Sequence, residues 1–178
     1  MKSNLLLTGL PGVGKTTVIQ RAASRFEPRF LAGFYTLEIR TDAGRQGFAI
    51  RTFDGDEAIL AHRDSKTGPA VGRYRVDLAA IEKVIVPSLR PKGRDTKLII
   101  IDEIGKMECL SPAFCQAVLA ALDGTLDVLG TIPRHTGGFI QQVKDRKDVL
   151  IFEVTRSNRG LLPENILATL TGGFISPD

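Results

Sequence analysis

The stretch Gly9-Leu10-Pro11-Gly12-Val13-Gly14-Lys15-Thr16 constrains this chain more than any other, because it meets G-x-x-x-x-G-K-[ST] at every fixed position. Its context agrees with a P-loop, or Walker A, reading. Asn4-Leu5-Leu6-Leu7-Thr8 is a short apolar run suited to a buried strand, and apolar residues recur at Val18, Ile19, Ala22, Ala23 and Phe26 with helical spacing. A strand, a glycine loop and a helix over Lys15 to Phe26 are therefore expected. Gly9, Gly12 and Gly14 can adopt positive φ and leave room for a phosphate, so that successive backbone N–H groups turn inward toward the anion. The helix N-terminus that follows favours the same negative charge. Lys15 is expected on the β- and γ-phosphates and the Thr16 hydroxyl on Mg²⁺, which makes a nucleoside triphosphate the expected ligand.

The 178 residues fit one domain with a sizeable core, and the apolar fraction of 43% is ordinary for a globular protein. A net charge of +4 suits an anionic ligand, but the Lys and Arg residues are scattered, so nucleic acid is not indicated. No apolar run reaches membrane-spanning length, and the N-terminus enters the first strand without a signal-peptide pattern. A cytoplasmic monomer is expected. Cys109 and Cys115 lack C-x-x-C spacing and read as reduced, packed thiols; His62 and His135 lack ligand spacing, and no structural metal is assigned.

Beyond the first helix, Pro28 and Gly33 frame a break. Phe34 to Arg40, Gly47 to Phe53 and Glu57 to His62 then read as strands separated by Asp42-Ala43-Gly44 and Asp54-Gly55. This predicts an antiparallel meander inserted into an α/β chain. Asp64 to Tyr74 reads as a loop. Asp77 is an N-cap candidate for a helix with Leu78, Ile81, Val84, Ile85 and Leu89 on its apolar face. Leu98 to Ile101 is a strand apolar on both faces, and Ser111-Pro112 starts a third helix. Leu126 to Ile132, a short helix around Ile140 and Val143, Val149 to Val154, and a helix over Pro163 to Leu170 stopped by Gly172-Gly173 complete the chain. The pattern predicts a mainly parallel sheet with helices on both faces, its ligand site beyond the carboxyl ends of the strands.

The aliphatic strand Leu98 to Ile101 ends in Asp102-Glu103, the Walker B position. Asp102 is expected to hold Mg²⁺, directly or through water, and Glu103 to orient or deprotonate the water that attacks the γ-phosphorus. A second carboxylate in that place favours hydrolysis over transfer to another acceptor. Asp102-Glu103-Ile104-Gly105 also fits the D-x-x-G pattern of GTP-binding switch proteins, yet no N-K-x-D follows. Thr131 ends the next strand, either as a hydroxyl sensor of the γ-phosphate or as a plain exit. Arg156, Asn158 and Arg159 follow the last strand, where a base or phosphate fits, or form a solvated loop. Lys106, Arg40 and Arg159 are the candidate cations for stabilising the transferring group.

GLPGVGKTT, GFYTLEIR, LIIIDEIGKME, GTIP and SNRG, in that order, resemble the small thermophile-type nucleoside-triphosphatases, a family that includes cancer-related nucleoside-triphosphatase. The resemblance implies a single P-loop α/β domain with slow, Mg²⁺-dependent hydrolysis of nucleoside triphosphates to diphosphates and broad base tolerance. Carried onto this chain, it implies phosphate binding by Gly9 to Thr16, the metal on Asp102, the attacking water on Glu103, and Lys106 as a phosphate-facing cation. Together with the motif and strand-end readings, the expected nucleotide-binding residues are Gly9, Leu10, Pro11, Gly12, Val13, Gly14, Lys15, Thr16, Thr17 and Arg159, the expected metal ligands Thr16 and Asp102, and the expected catalytic residues Lys15, Glu103 and Lys106. The family often has two adjacent acids in the second-strand motif; here Leu37 takes the first place and Glu38 keeps the second.

Two other readings share the phosphate loop. A nucleotide or small-molecule kinase would use the meander and the Asp64 to Tyr74 loop to hold an acceptor, but no compact arginine-rich lid lies between the later strands. A nucleotide-dependent binding module would use slow turnover to time a partner interaction.

Overall fold

The computed structural model describes residues 2–135 and 137–170. Its elements in chain order are β1 (Asn4–Thr8), α1 (Lys15–Ala23), β2 (Leu31–Thr41), β3 (Gly44–Thr52), β4 (Glu57–His62), β5 (Ala70–Val71) and β6 (Tyr74–Val76). There follow α2 (78–88), β7 (Leu98–Ile101), α3 (Pro112–Asp123), β8 (Asp127–Thr131), α4 (Gly138–Lys144), β9 (Val149–Glu153) and α5 (Leu162–Leu170). The expected stop at Gly172-Gly173 lies outside the described residues.

Among the described residues, the strands form one nine-stranded mixed sheet in the order β5-β6-β4-β3-β2-β7-β8-β1-β9. The run from β2 to β9 is parallel, and the run from β2 to β5 is antiparallel. The meander is thus continuous with the parallel sheet, because β2 belongs to both. Its first half pairs with β7, and its second half runs past the end of β7 to pair with β3. β7, flanked on both edges and covered on both faces, is buried throughout, which is why its sequence is four aliphatic residues with no alternation.

Two apolar clusters lie on opposite faces. Val18, Ile19, Ala22, Leu162, Ile166 and Leu170 bring α1 and α5 onto Leu5, Leu7, Leu98 and Ile100. Ile81, Ile85, Phe114, Val118, Leu122, Ile140 and Val143 bring α2, α3 and α4 onto Leu6, Phe34, Ile99 and Ile101. α3 begins where expected: Pro112 opens it and the Ser111 hydroxyl accepts the Phe114 N–H at 3.3 Å. Phe114 then meets Phe34 edge-on at 6.3 Å. Burying such a ring contributes about 2–3 kcal/mol and locks the start of α3 against β2.

Several expected boundaries move for identifiable reasons. α1 ends at Ala23, and Phe26 packs on the core from the turn that follows. β9 ends at Glu153, before Val154. In α2, capped as expected by Asp77, residues 81–85 are wound as π-helix. Pro87 has no N–H for the Lys83 carbonyl and crowds it, and the wider turn accommodates that crowding. The stretch from Asp64 to Tyr74 contains β5 and the start of β6, so it is a small hairpin closing the sheet edge as well as a loop.

Gly33 does not frame a break but lies inside β2. It has φ +104°, and a Cβ there would stand 1.9 Å from the Ile100 carbonyl oxygen. Close approach of β2 to β7 therefore depends on glycine. Gly33→Ala combines backbone strain with a backbone clash and is expected to destabilise the fold by about 3 kcal/mol or more, read as the shift of a urea unfolding midpoint.

Candidate nucleotide-binding and catalytic site

The strand order sets the site. β1, β8 and β7 are successive neighbours and parallel, so the loops leaving Thr8, Thr131 and Ile101 emerge side by side at one edge of the sheet. Gly9, Gly12 and Gly14 all have positive φ, at 153°, 73° and 108°. At Gly9 space is also short: a Cβ would lie 2.7 Å from the Val154 carbonyl oxygen, because the exit of β9 folds against the loop through Val154 N–H to Thr8 O at 2.7 Å. The loop closes on itself by Val13 N–H to Leu10 O at 3.2 Å, and Gly14 becomes the N-cap of α1. α1 therefore starts with a left-handed residue and no side-chain cap, leaving its first N–H groups available to an anion.

Lys15 lies at the first turn of α1 and curls back, its Nζ donating to Gly9 O at 3.4 Å. Thr16, one residue on, donates its Oγ1 to Asp102 Oδ1 at 3.2 Å. Thr131 Oγ1 donates to the same oxygen at 3.1 Å. Thr36 contributes from the other side, its hydroxyl to the Asp102 carbonyl at 2.5 Å and its N–H to Asp102 Oδ2 at 3.5 Å. Asp102 is 2% exposed and, among the described residues, has no cation paired with it. Burial pushes its carboxyl up to about 6 against the pull of the Thr16 and Thr131 hydrogen bonds, with the Glu103 charge adding to the rise. A buried carboxylate held by neutral hydroxyls lacks a compensating charge, and with the Thr16 oxygen beside it the donor set fits a hard cation.

Glu103 follows on the turn after β7. Burial raises its carboxyl, while Lys15 and His135 pull it down. The turn is tied to its surroundings by Ile104 N–H to Thr131 O at 2.8 Å and Cys109 N–H to Gly105 O at 3.0 Å. Lys15, Thr16, Asp102 and Glu103 thus converge, although Lys15 and Asp102 are distant in sequence.

The other expected residues divide. Arg159 reaches the loop, donating from Nη1 to Val13 O at 3.2 Å, with its Cδ 3.7 Å from the Cβ position of Gly14. It is aimed there by the preceding turn, in which Asn158 caps the Thr155 N–H at 2.8 Å and donates to Glu153 O at 2.8 Å. Leu10 and Pro11 are exposed on the loop, and Thr17 is exposed in the first turn of α1. Arg40 is paired with Glu38, which also holds Arg45 through Nη1 at 2.6 Å. Lys106 and Arg156 are exposed, and neither forms a hydrogen bond or ion pair among the described residues.

Reasoning on motifs missed Thr36, Glu108 and His135. Thr36 sits inside GFYTLEIR, whose motif signal lies in its acids, and its partner is Asp102 across the sheet. Glu108 lies inside DEIGKME, where its buried position was not deducible. His135 is a single histidine whose proximity to Glu103 comes only from the fold.

The family described as NTPase matches residues 4–167. The nucleoside-triphosphatase THEP1 of Thermotoga sp. strain RQ2 is 44% identical, over 93% of this chain and 94% of that protein. The cancer-related nucleoside-triphosphatase homolog of Bos taurus is 40% identical, over 92% and 95%. The crystal structure of THEP1 from Aquifex aeolicus superposes with a TM-score of 0.84 at 34% identity, covering 96% of this chain and 99% of that one. The match spans the phosphate loop, the acidic strand end and the last helix together, and the chain belongs to the NTPase family.

Proposed function

We propose that this chain hydrolyses nucleoside 5′-triphosphates to nucleoside diphosphate and phosphate with Mg²⁺, slowly and with little regard for the base. The observation that carries the reading is the 3.2 Å contact between Thr16 and Asp102, which puts phosphate loop and acidic strand end on one small volume. Thr16 and Asp102 would hold the metal. When bound, Mg²⁺ would neutralise charge on the triphosphate oxygens, and phosphate oxygens and water would complete its ligands.

The protein's own groups have separable tasks. The loop N–H groups and the start of α1 bind and orient the phosphate chain, and Lys15, free to leave Gly9 O, places its charge on the β- and γ-oxygens. Glu103 accepts a proton from the attacking water and orients it along the line to the γ-phosphorus. Thr131 and Thr36 hold the Asp102 carboxyl in one orientation. Arg159 caps the outer side of the loop, where a nucleotide would pass. Base tolerance is supported by the site's composition: the groups that converge are all suited to phosphate or metal.

Phosphate release from ATP, GTP, CTP and UTP with Mg²⁺ and no acceptor tests this. Turnover of several bases to diphosphate is the expected result. Tight binding without release would overturn hydrolysis and bring forward a kinase awaiting its acceptor or a binding module awaiting its partner. The relatives' names, which describe nucleoside-triphosphatases, favour the first outcome.

A further inference from the structure

Glu108 is a buried carboxyl group to which neither the phosphate loop nor the acidic strand end gives a task. It is 5% exposed, and no ion pair among the described residues includes it. The backbone N–H groups of Gly105 and of Glu108 itself pull its carboxyl down against burial. Gly105 does not have positive φ, and what its missing side chain leaves is space. A Cβ at Gly105 would lie 2.7 Å from Glu108 Oε2, 3.4 Å from Glu103 Cγ and 3.5 Å from Glu103 Cδ. The Glu103 and Glu108 side chains therefore flank the same small gap, the one left by the missing side chain of Gly105.

We propose that Glu108 is a positioning residue for Glu103: its buried side chain fills one side of the gap over Gly105, across from Glu103, and so fixes where the Glu103 carboxylate stands. Ile104 N–H on Thr131 O and Cys109 N–H on Gly105 O tie the turn that carries Glu103, and Glu108 packs against that turn from inside. The proposal rests on the reading of Glu103 as the group that activates water.

The electrostatics agree with this task. The charged groups facing Glu108 are the acids Glu103 and Asp102, and burial followed by the Glu103 charge pushes its carboxyl up to about 8. Its carboxyl therefore holds its proton to higher pH than an exposed glutamate, which limits the negative charge it adds to a site that must admit a triphosphate. A side chain of the same shape without charge should then serve nearly as well.

The test is a double-mutant cycle. Steady-state kcat and KM for Mg²⁺-ATP are measured for Glu108→Ala and Glu108→Gln, each with Glu103 intact and with Glu103→Gln. Glu108→Ala should lower kcat by about 10- to 10²-fold at unchanged KM, since small misplacement of a reacting group is that costly. Glu108→Gln should stay within about 3-fold of the native kcat, and in the Glu103→Gln background Glu108→Ala should change kcat by less than about 2-fold. Unchanged kcat in Glu108→Ala, an equal loss in both backgrounds, a loss confined to KM, or Glu108→Gln as impaired as Glu108→Ala would each overturn the proposal. If Glu108→Ala fails to bind Mg²⁺-ATP, Glu108→Asp takes its place, keeping the acid but withdrawing it by one methylene, with the same expected pattern. Glu103→Gln alone separates the two ideas. An unchanged kcat there removes the water-activating role and the proposal with it, whereas a large loss there with an equal Glu108→Ala loss in both backgrounds removes the proposal only.

Discussion

Lys15→Ala is expected to lower kcat/KM for every nucleoside triphosphate by about 10²–10³-fold, the loss typical when a fixed donor to developing negative charge is removed. Lys15 is the one side-chain cation whose place the motif dictates, and the fold sets it where Gly9 O holds its Nζ and its charge acts on Glu103. Losing it removes the attraction for the β- and γ-oxygens. The substitution should leave the fold intact. Lys15 is partly exposed at the first turn of α1, and alanine is the better helix former, so stability should change by no more than about 0.5 kcal/mol. Phosphate release and thermal unfolding, measured on the same preparation, separate the two quantities. Native activity in a folded Lys15→Ala protein would remove the phosphate loop from the site.

What the sequence disclosed about the fold was governed by period and punctuation. The fully apolar β7 and the strand, loop and helix around Gly9 to Thr16 were legible because burial on both faces and the need for positive φ both leave marks in residue type. Gly33 misled, because a glycine that permits close strand approach looks the same in sequence as one that ends a strand. The hairpin of β5 and β6 was hidden because strands of two and three residues carry no period. That the meander continues the parallel sheet was equally hidden. It depends on β2 pairing with β7, a partner more than fifty residues away, and no local signal encodes such a pairing.

The site divides along the same line. Lys15, Thr16, Asp102 and Glu103 were legible because each stands at a fixed offset from a strand end, where motif and topology coincide. Arg159 was placed only by its position after the last strand, and its contact with Val13 follows from a turn built by Asn158 and Thr155. Thr36 and Glu108 were not legible, since their tasks come from burial beside Asp102 and Gly105, which only the packed chain creates. Leu37, the departure from the family's usual pair of acids, adjoins Thr36, so the strand position that touches Asp102 is filled by a hydroxyl residue whatever stands at 37.

Glu103→Gln is expected to lower kcat by about 10²-fold or more while leaving KM and the affinity for Mg²⁺-nucleotide nearly unchanged. Glutamine keeps the length, shape and hydrogen-bonding reach of glutamate and removes only its charge and basicity, so the substitution isolates the proton-accepting role. Binding should survive because, in the proposed reading, the phosphate contacts fall to Lys15 and the loop and the metal contacts to Thr16 and Asp102, and none of these is made by the Glu103 side chain. Binding should even gain slightly, since one carboxylate facing the triphosphate is lost. The measurement is single-turnover phosphate release together with equilibrium nucleotide titration. A slow variant that still binds would place Glu103 at the chemical step. A variant that binds weakly but turns over normally at saturation would make Glu103 part of the binding shell, and the water would then need another acceptor. His135 and Lys106 are the groups to substitute next in that event: the first acts electrostatically on Glu103, and the second lies on the same turn. The two outcomes differ in which kinetic constant moves, so one titration and one time course decide between them.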